Sequence, residues 1–360
     1  MSQKIIVKVA AALLTTFLSF GIVFSQKIEA EDIPLPEKIQ TKTIVTDRIH
    51  IDRIYRSMVG PQQSKKFQIT DQSKSELLWL TGASVDVVNK KGSLSHKYLC
   101  HSNLSLDNPV QHNKFMSHAH GAINNRKFLS LNQGQSAIEF PPGFAVPLLS
   151  NEKILFYGMA LNNQPLQKPV DLKFKVTLSY VNNRDLVQPM KVLRQTGIDI
   201  RVPAQYPNCD DSNKKNNRCG IFHADETGNS FNFHWLVAPG RHSYWQTMDG
   251  NTFIPFDTTA HFIAMHMHPY AESMELIDRT TGETLFKGYA RHYPNNQDIE
   301  SFESFSSEEG IPLYRNHKYE TITVYNNITD KDIDAMAILY IYLWDKKFDN
   351  NKIKTGTKIN

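Results

Sequence analysis

The sequence predicts an all-β protein made of two tandem antiparallel β-sandwich domains of jelly-roll-like form, and three observations carry that expectation. Runs rich in β-branched and aromatic residues recur from Ala83 to Trp344. Turn-forming clusters stand between them, among them PPG at 141–143, APG at 238–240, DG at 249–250 and TTG at 280–282. No window sustains a helical period over three turns.

The N-terminal stretch MSQKIIVKVAAALLTTFLSFGIVFSQKIEAED places Lys4 and Lys8 ahead of an apolar run that reaches Phe24, with small and polar residues beyond it. That layout predicts a signal peptide over 1–30 and a secreted or periplasmic protein. The run is short for a membrane span, so no membrane contact is expected after cleavage. Residues 31–75 are polar, carry Pro34 and Pro36, and read as an N-terminal extension. ASVDVV (83–88), KILFYGMAL (153–161) and LKFKVTLSYV (172–181) supply strands of an N-terminal sandwich, residues 76–186. GIDIRV (197–202), SFNFHWLV (230–237), HFIAMHMH (261–268), SMELID (273–278), ETITVYNN (320–327) and AMAILYIYLW (335–344) supply a C-terminal one, residues 187–350. The polar VNNRDLVQPM (181–190) marks the boundary, and 351–360 reads as a flexible tail.

Composition narrows the function classes. Of 360 residues, 40% are hydrophobic and 21% charged, and the net charge is +4, the balance of an ordinary globular chain. No dense Lys/Arg stripe is present, which argues against nucleic acid as a partner. Three cysteines in an exported chain suggest one bridge. Cys209 and Cys219 bracket CDDSNKKNNRC, a polar loop that a disulfide would tie down, and Cys100 is left over. Motifs for other chemistry are missing: there is no G-x-S-x-G, Walker lysine, Rossmann glycine fingerprint or H-E-x-x-H.

The histidines carry the remaining signal. Strand parity along HFIAMHMH puts Phe262, Ala264, His266 and His268 on one face, with Ile263, Met265 and Met267 on the other. The apolar set suits a sandwich interior, so the histidines look outward or toward a second domain. Paired imidazoles at this spacing can hold one copper, zinc or nickel ion, and two solvated histidines are the plain alternative. His118 and His120 in SHAHGA form a second such pair in a polar, loop-like segment. His234, in FNFHWLV, reads as a core or pocket residue.

AMHMHPYAESMELIDRTTGETLF, followed by DIDAMAILYIYLW, resembles the C-terminal domain of the copper type II, ascorbate-dependent monooxygenases, the family of peptidylglycine α-hydroxylating monooxygenase and dopamine β-monooxygenase. FHWLVAPGRHSYWQ (233–246) resembles that family's Pro-Gly turn ahead of the histidine strand. The resemblance implies one copper ion held by His266, His268 and Met336, which activates dioxygen for attack on a C–H bond. Two imidazoles and a thioether suit copper cycling between Cu(II) and Cu(I) independently of the resemblance.

KYLCHSNL (97–104) is similar to the motif that helps hold the family's second, electron-supplying copper. Cys100 stands where the first histidine of that motif belongs, and only His101 remains. Near the expected third histidine this chain has Met159 and Ala160. Cys100 and His101 are thus at most a vestigial second site, and ascorbate or another external reductant would have to serve the single copper. The expected function is a secreted mononuclear copper protein, either a monooxygenase or a non-catalytic copper- or partner-binding relative. The substrate, small molecule or peptide, is not specified. A metal-free adhesive jelly roll would instead present Trp235 and Trp245 along a groove.

Overall fold

Side chains of a β-strand point alternately to two faces, and in this chain two paired strands bury both. They are Thr258–Met267 and Ala337–Trp344, antiparallel, with Ala264 opposite Tyr340 and His266 opposite Ile338. Phe262, Ala264, Ile338, Tyr340 and Tyr342 enter one hydrophobic core. Ile263, Met265, Met267, Leu339, Ile341 and Leu343 enter another. A strand with two buried faces must read as a continuous apolar run, as AILYIYLW does.

The computed structural model describes residues 38–55, 57, 59–70, 75–108, 127–203, 222–224, 230–249, 254, 256–294 and 297–348, within one compact unit spanning 33–360. The two shared strands belong to an eleven-stranded sheet. Its path runs Gln40–Val45, Val170–Asn182, Leu77–Asn89, Phe144–Leu149, Lys191–Asp199, Ala337–Trp344, Thr258–Met267 and Phe305–Leu313. Neighbours along it are antiparallel except Phe144–Leu149 and Lys191–Asp199, which run parallel. That pair carries the sheet across residues 181–190, so strands from both halves of the chain share one hydrogen-bonded layer.

The first core also draws on a four-stranded sheet ordered Gln62–Phe67, Ile154–Ala160, Leu99–Leu106 and Lys127–Asn132. The second draws on a five-stranded sheet of Gly240–Asp249, Lys318–Asn327, Ala271–Asp278, Glu283–His292 and Ile299–Phe302. Phe140 knits the first core to the shared strands, its ring 5.8 Å from Phe262 and 4.8 Å from Tyr342. Among the described residues there is no α-helix, only the 3-10 turns His96–Tyr98 and Asn183–Asp185. The all-β sandwich expectation is met.

The polar stretch expected as an extension carries three strands instead. Gln40–Val45 and Ile49–Ile51 pair with Val170–Asn182, and Gln62–Phe67 edges the four-stranded sheet. Polar composition concealed them because they bury one side only: Ile44, Ile49 and Ile51 point inward and their neighbours face solvent. The signal segment 1–30, Cys209, Cys219, His118, His120 and the tail 351–360 lie outside the described residues. Cys100 is buried, 3% exposed. No helix of the described residues is long and apolar enough to cross a membrane.

Because the Ala337–Trp344 strand serves both cores, truncations on its two faces should weaken one cooperative transition. Ile341→Ala and Tyr342→Ala, both at fully buried positions, are each expected to cost about 2–5 kcal/mol. Denaturant unfolding followed by tryptophan fluorescence and far-UV circular dichroism should show coincident curves in both variants. Two separated transitions would contradict the shared-strand account.

Candidate metal centre

His266 and His268 project from the end of the Thr258–Met267 strand on the Phe262–Ala264 side, toward the first core. They are 6% and 3% exposed, so neither is a solvated surface histidine. His266 lies opposite Ile338 and Met267 opposite Ala337. The next step pairs His268 with Met336, and the His268 amide donates to the Met336 carbonyl at 3.3 Å. On the other side, Trp235–Val237 pairs with Ile333–Ala335, Trp235 opposite Ala335. His234, one residue earlier, therefore falls beside Met336 as well. Met336 thus sits in register between two histidines, its side chain partly buried against the first core.

A carboxylate braces the two imidazoles. Asp334 Oδ2 accepts from His268 Nδ1 at 2.9 Å, and Oδ1 accepts from His234 Nδ1 at 3.4 Å. The two rings are 5.0 Å apart between centroids, and His266 is 5.6 Å from His268. Among the described residues, the donor atoms of His234, His268 and Asp334 all lie within 4.8 Å of one another. Beneath them Tyr325 is fully buried; its hydroxyl donates to the Met336 carbonyl at 2.6 Å and accepts from the His268 amide at 3.0 Å. That bridge ties the strand that ends at His268 to the one that carries Met336.

The N-terminal half closes the cluster from the opposite side. His101 lies 6.5 Å from the His266 ring and stacks on Tyr157 at 5.7 Å. Ser57 Oγ is 2.8 Å from His268 Nε2 and 3.4 Å from Cys100 Sγ. Ser57 is held there on both flanks. Tyr55 pairs with Asn162 through mutual amide–carbonyl bonds, and Ala160 donates to the Pro61 carbonyl. Only glycine fits at position 60, since a Cβ there would meet the Ala160 carbonyl oxygen at 1.8 Å. Cys100 and His101 are therefore part of the same cluster as His266 and His268, joined through Ser57.

A cavity of about 250 Å³ opens beside the cluster, lined by Ser57, Asn163, His268, Tyr270, Gln297 and Asp334 among others. Tyr270 adopts φ 65°, a left-handed backbone rare for a bulky residue, in the turn that follows His268.

Burial sets the electrostatics. Desolvation pushes the His266 imidazole well below its usual value, with the neighbouring histidines adding to it. His268 is lowered by desolvation, against a partial rise from Asp334. His101 is pushed down to about 3 by desolvation and the positive charge of Lys127. Burial alone would raise the Asp334 carboxyl, but the hydrogen bonds from His234 and His268 hold it far below the usual carboxylate range. The His101, His266 and His268 imidazoles are thus neutral, the form that binds metals, beside an ionised carboxylate. Within the cluster His266 Nδ1 and His234 Nε2 are buried without a hydrogen-bond partner, as are Trp235 Nε1 next to His234 and, farther off, His292 Nδ1. Each such orphan costs about 1–3 kcal/mol.

The sequence marks His234 as a core or pocket residue, and its burial agrees; it does not single out Asp334 or Ser57. Asp334 carried a usable signal: an acid two residues ahead of Met336 shares its face, and buried carboxylates are paired. Ser57 had none, because its place depends on chain packing far from it in sequence. Trp235 is 3% exposed and packs on Tyr244 and Tyr325, whereas Trp245 is 63% exposed, so the two do not line a common groove.

Fold and site together define an all-β protein with a carboxylate-braced histidine cluster at the seam of two cores. No family model and no curated protein matches the sequence. Solved structures align with it at low similarity. The STIV MCP aligns over 87% of this chain and 98% of its own, at 9% identity and a TM-score of 0.32. PNGase F, a glycosylasparaginase from Flavobacterium meningosepticum, aligns over 85% and 96%, at 8% identity and a TM-score of 0.35.

The neutral histidines make the metal-free protein acid-sensitive. An unfolded histidine takes a proton near 6.5, whereas folded His101 resists until about 3. Between those values the unfolded chain binds more protons, so stability is full above the window and falls as pH drops through it. Urea midpoints should fall between pH 7.5 and pH 5, less steeply in His101→Leu; equal slopes would show that His101 titrates normally in the fold.

Proposed function

We propose that this chain is a redox copper protein of a secreted or periplasmic setting, its single ion held at the seam by His266, His268 and Met336. One observation supports the reading: His266 and His268 are buried, strand register sets Met336 opposite His268, and His266 Nδ1 is buried without a partner. The donor set fits copper, since a soft thioether favours Cu(I) and imidazoles serve both oxidation states. Bound copper of this kind supplies dioxygen activation for attack on a C–H bond. The residues of the chain do the rest: the imidazoles and thioether hold the ion, Tyr325 ties their strands together, and the first core keeps bulk water away. The cavity beside His268 offers room for a small molecule or a peptide side chain. The proximity of Cys100 and His101 to the same cluster supports one centre rather than two. Ascorbate or another external reductant would then deliver both electrons there.

Oxygen uptake by the copper-loaded protein with ascorbate tests the enzyme reading. Uptake in wild type that is lost in Met336→Ile supports it; stoichiometric copper without uptake leaves the non-catalytic binder. Met336→Ile conserves volume in a partly apolar setting and should fold normally. It should weaken Cu(I) binding at least tenfold and Cu(II) binding less, by competition with chelators. Unchanged Cu(I) affinity would make Met336 a packing residue only.

The chain of hydrogen bonds Ser57–His268–Asp334 favours a second reading, acyl transfer. Ser57 Oγ would attack a carbonyl as its proton passes to His268 Nε2. The leaving group would take that proton, and water would release the acyl group. The two readings compete for one lone pair, because Ser57 occupies the side of His268 that an ion would need. Ser57→Ala therefore separates them. Loss of p-nitrophenyl acetate hydrolysis supports acyl transfer, whereas copper affinity kept or raised a few-fold, with no esterase activity in wild type, supports the copper reading.

A further inference from the structure

We propose that His234 is an additional imidazole ligand of this centre and that Asp334 is its positioning residue, turning two histidines toward one ion; the inference rests on the copper reading above. Neither residue belongs to the ligand set that the sequence suggested.

Each oxygen of Asp334 meets one ring at Nδ1, His268 at 2.9 Å and His234 at 3.4 Å, so both rings turn their Nε2 edges away from the carboxylate. A carboxylate that fixes the tautomer and ring plane of a metal-binding histidine is a recurrent arrangement, and here one carboxylate serves two rings. Two imidazoles bound to one ion at about 2 Å each place their centroids roughly 5 to 6 Å apart. The observed separation is 5.0 Å.

A second observation points to a ligand. His234 is 6% exposed, and its Nε2 is buried with no partner. His261 satisfies both ring nitrogens, on Ser307 and Thr259, whereas His234, like His292, leaves one buried and unpaired; His234 does so beside a second imidazole that shares its carboxylate. Register adds the third element, because Met336 stands between His234 and His268.

The test measures copper binding on the full chain, with the imidazole count from X-ray absorption on the loaded protein. Wild type, His234→Ala, Asp334→Asn and Asp334→Glu are compared, and near-UV circular dichroism confirms their fold. His234→Ala should bind at least tenfold more weakly, with one imidazole fewer. Asp334→Asn keeps one acceptor oxygen for two ring N–H groups, so it should lose about 10–100-fold in affinity, and Asp334→Glu should recover part of that loss. Should His234→Ala misfold, His234→Gln fills the space and must show the same missing imidazole. Copper bound by wild type and His234 variants alike, with equal imidazole counts, overturns the ligand role while the copper reading stands. Full affinity in Asp334→Asn overturns the positioning role. Failure of wild type to bind copper removes the copper reading and this inference together.

Discussion

Two strands with no solvent-facing side impose the order of this molecule. Thr258–Met267 and Ala337–Trp344 must satisfy one core with their even positions and another with their odd ones. A single-residue slip would exchange the two sets, sending Phe262 and Tyr342 into the space cut for Ile263 and Ile341. Register is therefore held from both sides at once. The same alternation delivers His266 and His268 to the first core rather than to water, and it aligns Met336 with them. The placement of the histidine cluster is a by-product of the requirement that organises the packing.

Holding polar groups in that seam is expensive, and the structure offsets the expense with a closed network. Asp334 spends both oxygens on histidines, and Tyr325 ties the amide of one strand to the carbonyl of the next. Burial raises the Tyr325 hydroxyl far above its usual value, so it stays protonated and keeps donating. The network leaves His266 Nδ1 and His234 Nε2 buried without partners, with Trp235 Nε1 beside them in the same condition.

Much of this was legible in the sequence, and the reasons for the rest are physical. Period-two apolar runs revealed the strands, and parity within HFIAMHMH correctly kept the histidines away from the Ile263–Met265–Met267 face. Edge strands near residues 40–67 were hidden because half of each strand belongs to solvent. His234 is buried, as a core or pocket residue should be, but a histidine between Phe233 and Trp235 looks the same in sequence whether its second nitrogen is satisfied or not; only coordinates reveal the orphan. The meeting of Cys100 and His101 with the C-terminal histidines was out of reach for a related reason. Nothing local announces that Ser57 will lie across both.

The parallel pairing of Phe144–Leu149 with Lys191–Asp199 has a consequence for how the molecule can be dissected. Cutting the chain within 181–190 would not release two self-sufficient halves. The N-terminal piece would bare a strand edge at Phe144–Leu149, and the C-terminal piece would expose Phe262, Ala264, Ile338, Tyr340 and Tyr342 along one sheet surface. Each fragment would thereby carry an adhesive patch shaped for the other, making reassociation of the separate pieces, rather than their independent survival, the expected fate.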